Sequence, residues 1–107
     1  MQLQLLDFPE VQMARAHRFQ FTQEFLDYLP DNIHVYQAFE REALRVAQKR
    51  DHYSARTIIE VLRHESALRE KDDQWKLNDH HTPYLARLFA LIHPGCAKLF
   101  EFRKAKA

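Results

Sequence analysis

Seven histidines and a single cysteine are the residues with the most chemistry to offer in this chain of 107. His80, His81, His93 and Cys96 lie closest together along it. Zinc ligands usually come in pairs, as Cys-x₂₋₄-Cys or His-x₃₋₅-His. His93 and Cys96 have a workable spacing, but adjacent His80 and His81 would normally point in different directions. The Pro94-Gly95 turn needs no metal to explain it. No metal and no cofactor is therefore expected. Asp79-His80-His81 mimics the opening of a His-Asn-His nuclease, without the asparagine and histidine that should follow. A cysteine nucleophile needs a base and a lowered thiol pKa. Cys96 sits instead in an apolar terminal segment and reads as a small buried hydrophobe. Phosphate-cradling loops need several glycines, and the chain has one. Asp72-Asp73 beside Lys71 reads as solvated loop. No residue is assigned as catalytic, and an enzyme is not expected.

What remains is binding chemistry. Arg41, Arg45 and Lys49 recur at i, i+4, i+8. Like charges so placed repel by roughly 0.2–0.5 kcal/mol each, and Glu42 offsets this for Arg45. With Arg56 they form the set that could meet an anion or a nucleic acid. Arg87 lies between Ala86 and Ala90, small residues that allow close approach to a partner. Interfaces draw most of their energy from a few aromatic and arginine anchors, so Tyr53, Tyr84 and Arg87 are the candidates for a protein partner. Three further residues are assigned structural roles. Glu65 projects between Ile58 and Val61 and needs a counterpart if buried: Arg63, Arg87 or the segment from Trp75 to Asn78. Trp75 is expected to be buried and to anchor that segment, with Asn78 at its end.

The elements that must position these groups are helical. The first helix should begin at Pro9, which suits a first helical position, and run to about Tyr28 with Pro30 as its stop. Ala14, Phe21, Phe25 and Leu29 share its apolar face, and Phe19 falls off it. Asn32 is a plausible cap for a helix from Ile33 to Lys49. That helix buries Val35, Tyr36, Phe39, Ala43, Val46 and Ala47 at 100° per residue. Ser54 caps Ala55–Arg69, whose arc is Ile58, Val61, Leu62 and Leu68. Gln74 to Leu77 alternates, as a short strand or extended loop would. Thr82 caps a helix starting at Pro83, with Leu85, Leu88, Phe89 and Ile92 on one face and His93-Pro94-Gly95 at its end. Cys96 to Arg103 is a final short helix or a strand. The fold class is thus mainly α: a compact bundle of four to five helices with one short extended segment near Trp75–Asn78.

Bulk properties agree. One glycine is too few for the tight turns of a sheet-rich fold. A lone cysteine allows no internal disulfide and suits a reducing compartment. No apolar run is long enough to span a bilayer, and Met1–Glu10 lacks the features of a secretory signal. No membrane partner is expected. Net charge is +1, distributed as −2 over residues 1–30, −1 over 31–79 and +4 over 80–107. The basic end reads as a solubilising tail that could also favour an anionic partner. A DNA-reading helix-turn-helix needs a turn of 3–4 residues, whereas about a dozen separate Arg69 from Pro83.

Asn32 to Arg103 carries several recognisable strings: Ser54-Ala55-Arg56-Thr57-Ile58-Ile59, Arg63-His64-Glu65, Trp75-Lys76-Leu77-Asn78, Thr82-Pro83-Tyr84-Leu85-Ala86-Arg87-Leu88-Phe89, and His93-Pro94 before Phe100-Glu101-Phe102-Arg103. This resembles a widespread group of short proteins encoded by bacteriophages and prophages, in which an Arg-Trp-Glu triplet precedes a Lys-Ile-Asn-Asn-like stretch and a Tyr-Ala-Arg-Leu helix. His64 departs from the tryptophan and Asp79 from the second asparagine. The resemblance implies phage or prophage origin and action in the cytoplasm of the bacterial host. It supplies no catalytic residues. One domain of 107 residues is expected, with 1–30 as an N-terminal helical extension and 31–103 as the part that resembles phage proteins. The expected function is that of a small accessory protein binding a host or phage protein. The alternative is a nucleic-acid-binding regulatory module. A homo-oligomer is compatible with both.

Overall fold

The computed structural model describes residues 8–69 and 79–100. Helix α1 spans Pro9–Ala16, with Pro9 at its start, where a missing N–H costs nothing. The helix expected to continue to Tyr28 breaks here. The backbone N–H and Nδ1 of His17 both turn back onto the Met13 carbonyl. A 3-10 turn follows, Arg18–Gln20, and Phe21 is extended at φ −130°, ψ 154°. Thr22 then starts a new helix, α2, Gln23–Asp31. Its Oγ1 accepts from the Phe25 N–H at 3.1 Å, satisfying one of the free donors of a first helical turn. Pro30 does not stop α2; it lies inside the last turn.

Asn32 alone joins α2 to α3, Ile33–Ala47. Its side chain does not cap α3 as expected. It reaches back, Nδ2 donating to the Tyr28 carbonyl at 2.8 Å, and closes the end of α2. α3 stops two residues short of Lys49, whose N–H, with that of Arg50, turns to the Val46 carbonyl. α4 covers Ala55–Arg69 as expected, with the Ser54 Oγ accepting from the Thr57 N–H at 3.3 Å. A 3-10 turn, Asp79–His81, leads into α5, Thr82–Ile92. Thr82 is therefore the first residue of α5 and His81 its cap. Pro94–Leu99 forms another 3-10 turn, and Phe100 is extended. The described residues are mainly helical and contain no strand. Trp75, Asn78 and the tail beyond Phe100 lie outside the described residues.

The helices close around one cluster of buried side chains. It takes Val11 and Ala14 from α1, Phe25 and Leu29 from α2, and Tyr36, Phe39 and Ala43 from α3. α4 adds Ile58, Ile59 and Leu62, and α5 adds Leu85, Leu88 and Phe89. Rings organise both ends. Phe39, Phe89 and Phe100 meet at centroid distances of 5.5–6.5 Å. Phe21 stacks on Phe25 at 5.3 Å. The buried arc of α4 is rotated from the expected one: Ile59 is inside, Val61 is 36% exposed, and Glu65 lies at the surface. Glu65 is thus not a carboxylate enclosed in the core.

Candidate interaction surface

The break between α1 and α2 controls what the molecule presents. Phe21, on the core side, is 8% exposed; Phe19, two residues earlier, is 93% exposed. Phe19 lies within the 3-10 turn, whereas Phe21 leaves it in an extended conformation and stacks on Phe25. The turn is held at both ends by backbone bonds, Gln20 N–H to His17 O at 2.9 Å and Phe21 N–H to Arg18 O at 3.1 Å. Arg87 locks it from outside: its Nη1 donates to the Gln20 carbonyl at 3.2 Å. The same guanidinium lies 5.5 Å from the centroid of Tyr84. The Tyr84 ring in turn rests against Phe21 and Phe25. Arg18 lies 5.6 Å from the Phe19 centroid. One surface therefore holds Arg18, Phe19, Tyr84 and Arg87. Two of these, Tyr84 and Arg87, are sequence candidates. Phe19 was legible as a residue off the apolar face, but the turn that presents it was not.

Tyr53 belongs to another neighbourhood. Its N–H donates to the Leu99 carbonyl at 2.8 Å, and the Arg50 guanidinium lies over its ring. His52 Nδ1 bonds to the Lys98 carbonyl at 3.1 Å. These contacts flank an open groove of about 390 Å³ between 47–52 and 95–99, with Arg50, Lys98 and Cys96 in its lining.

The basic set is partly spent on local pairing. Glu42 accepts from Arg45 through both oxygens, which holds its carboxyl below the usual carboxylate range. Arg56 meets Glu60 at 3.4 Å. Arg41 and Lys49 are exposed.

The histidines and Cys96 do not converge. His93 Nε2 lies 2.9 Å from Glu40 Oε2, and the same oxygen accepts from the buried Tyr36 hydroxyl at 3.2 Å. Burial, then the Glu40 charge, raises the Tyr36 pKa. His81 is 5% exposed and stacks on Tyr28 at 4.1 Å. Its Nδ1 and the Tyr28 hydroxyl are buried without a hydrogen-bond partner. Burial pushes the Tyr28 hydroxyl up to about 12. Among the described residues, no three His, Cys, Asp or Glu are placed to share a metal ion, and no helix is long and apolar enough to cross a membrane.

His81 makes stability depend on pH. Burial lowers its pKa below the ordinary value of 6.5, against an opposing pull from Glu24. The unfolded chain then binds the proton first as pH falls, so stability rises with pH below about 6.5. Urea melts at pH 7.5 and pH 5 should show a larger loss for the native chain than for His81→Phe. Equal losses would show that His81 contributes nothing to the slope.

Compared with known proteins, the chain matches no family model, no curated protein and no solved structure.

Proposed function

We propose that this chain is a non-catalytic binding protein that engages a protein partner through Phe19, with Tyr84 and Arg87 beside it. One observation carries the reading: a phenylalanine 93% exposed on a turn locked by its own backbone bonds and by Arg87. Leaving such a ring in water forgoes roughly 1.5–3 kcal/mol of burial. Holding it rigidly removes much of the ordering cost of association. Aromatic and arginine side chains are also the residues that dominate interface energies. The likeness to short phage-encoded chains supplies the setting: an accessory protein acting on a host or phage protein in the bacterial cytoplasm. Nucleic-acid binding through Arg41, Arg45, Lys49 and Arg56 draws less support, because Arg45 and Arg56 already face carboxylates.

The test is to place a photo-reactive phenylalanine analogue at position 19 and cross-link in bacterial lysate, then purify what is captured. A protein should be captured. Phe19→Ala should weaken its binding on the order of 30-fold or more, with the melting temperature unchanged. Capture of nucleic acid alone, or full affinity in Phe19→Ala, would overturn the proposal.

A further inference from the structure

His81 is enclosed where a second proton is least welcome. Its ring is 5% exposed, stacked on Tyr28 of α2 at 4.1 Å and set against Phe25 at 5.9 Å. Nδ1 has no hydrogen-bond partner, and neither has the buried Tyr28 hydroxyl. An imidazolium has donors at both nitrogens, and the one at Nδ1 finds no acceptor here. Enclosing an ionised donor without an acceptor costs far more than enclosing a neutral ring. His81 also caps α5, the positive end of that helix, where a cation is disfavoured. Among the described residues, Glu24 of α2 favours the charged ring and His80 opposes it. Glu24 is exposed, so water and salt screen its pull. The Tyr28 hydroxyl, which keeps its proton up to about 12, offers no negative charge.

The residues that follow His81 on the same face of α5 hold the candidate surface. Tyr84, three residues on, rests against the same Phe25 and against Phe21, at 5.7 and 6.2 Å. Arg87, three further, donates to the Gln20 carbonyl. His81, Tyr84 and Arg87 thus form one row that seats α5 on α2 and on the turn presenting Phe19. We propose that protonation of His81 is a switch for the Phe19 surface: the charged ring leaves its stack on Tyr28, the first turn of α5 lifts from α2, and the hold of Tyr84 and Arg87 on the turn is released. The proposal rests on the binding reading above and adds its regulation. The released ring takes a proton at the ordinary value of 6.5 and the buried ring takes it less readily. Acid therefore favours the released arrangement, and the seated one persists above that value. A proton held about tenfold more tightly by the released ring moves the balance between the two about tenfold.

The test places 4-fluorophenylalanine at position 21, whose ring lies against both Phe25 and Tyr84 and does not titrate. Fluorine NMR of the full chain is followed from pH 7.5 to pH 5, with circular dichroism recorded alongside. The resonance should move in one step, with its midpoint below 6.5, while helix content stays constant. It should stay fixed in His81→Phe, which keeps a ring on Tyr28 without the proton. A resonance fixed down to pH 5, one that moves alike in His81→Phe, or one that moves only as helix is lost would each overturn the switch. The photo-reactive analogue at position 19, used in lysate at both pH values, carries the switch to binding. Capture should fall on the order of tenfold at pH 5 in the native chain and hold steady in His81→Phe. Equal behaviour of the two chains would overturn the proposal. Capture of no protein at either pH would remove the binding reading, and the fluorine titration would still decide for or against the switch.

Discussion

Phe25→Ala should lower the free energy of unfolding by about 3–5 kcal/mol, in one transition seen alike by circular dichroism and fluorescence. Phe25 is fully buried, and its neighbours come from distant parts of the chain. Phe21 stacks on it from before α2, while His81 and Tyr84 meet it from the far side, at 5.9 and 5.7 Å. Removing the ring opens a cavity between these elements that rigid neighbours fill only partly. The figure is a large part of the 5–15 kcal/mol that holds a typical domain. The variant also asks whether residues 1–30 are an appendage. Val11, Ala14, Phe25 and Leu29 share one buried cluster with α3, α4 and α5, so loss of Phe25 should be felt by the whole molecule. Two separate transitions, or a change below about 1 kcal/mol, would show that the first thirty residues fold apart from the rest.

Glu40→Leu should cost about 1–3 kcal/mol, because it strands the buried Tyr36 hydroxyl without its acceptor. Tyr36 is fully buried on α3, and its hydroxyl donates to Glu40 Oε2. The same oxygen takes the proton-bearing edge of His93, tying the end of α5 to α3. A buried donor left unmade costs more than the bond contributed when made. The informative measurement is therefore a double-mutant cycle by denaturant melts. Tyr36→Phe should destabilise the native background and stabilise the Glu40→Leu background relative to that variant alone. An equal effect in both backgrounds would show that the two side chains do not act as a pair.

The regular helices were legible because their periodicity is local. α4 has the expected bounds, and the buried faces of α3 and α5 largely follow their spacing, with Ala38 and Ala86 added and Ala47 and Ile92 only partly buried. The break at His17–Thr22 was not legible. No proline or glycine marks it, and Phe21, Phe25 and Leu29 keep helical spacing across it. Only Thr22, three residues before the N–H it caps, carried a signal. Proline misled in the opposite sense at Pro30: it lies one residue before the end of α2, where it removes a single backbone bond and the helix closes directly after it. Glu65 was misplaced because Val61 and Ile59 are equally apolar, and only tertiary packing chooses between the arcs. At the candidate surface, Tyr84 and Arg87 were legible from composition and neighbours. Their meeting with the stretch from Gln20 to Phe25 was not, because the Arg87–Gln20 contact joins positions 67 apart. The Glu40–His93 contact, 53 apart, was hidden for the same reason.

Among the described residues no backbone φ is positive, and a Cβ added at Gly95 would meet nothing within 4 Å. Every turn among the described residues is thus made with conformations open to any L-residue. Folds that depend on left-handed turns hold a glycine fixed at each one. Among the described residues no position is reserved in that way. Substitution there is constrained by what the side chains must fill and bond, and those turns are free to drift in sequence while the helices keep their places.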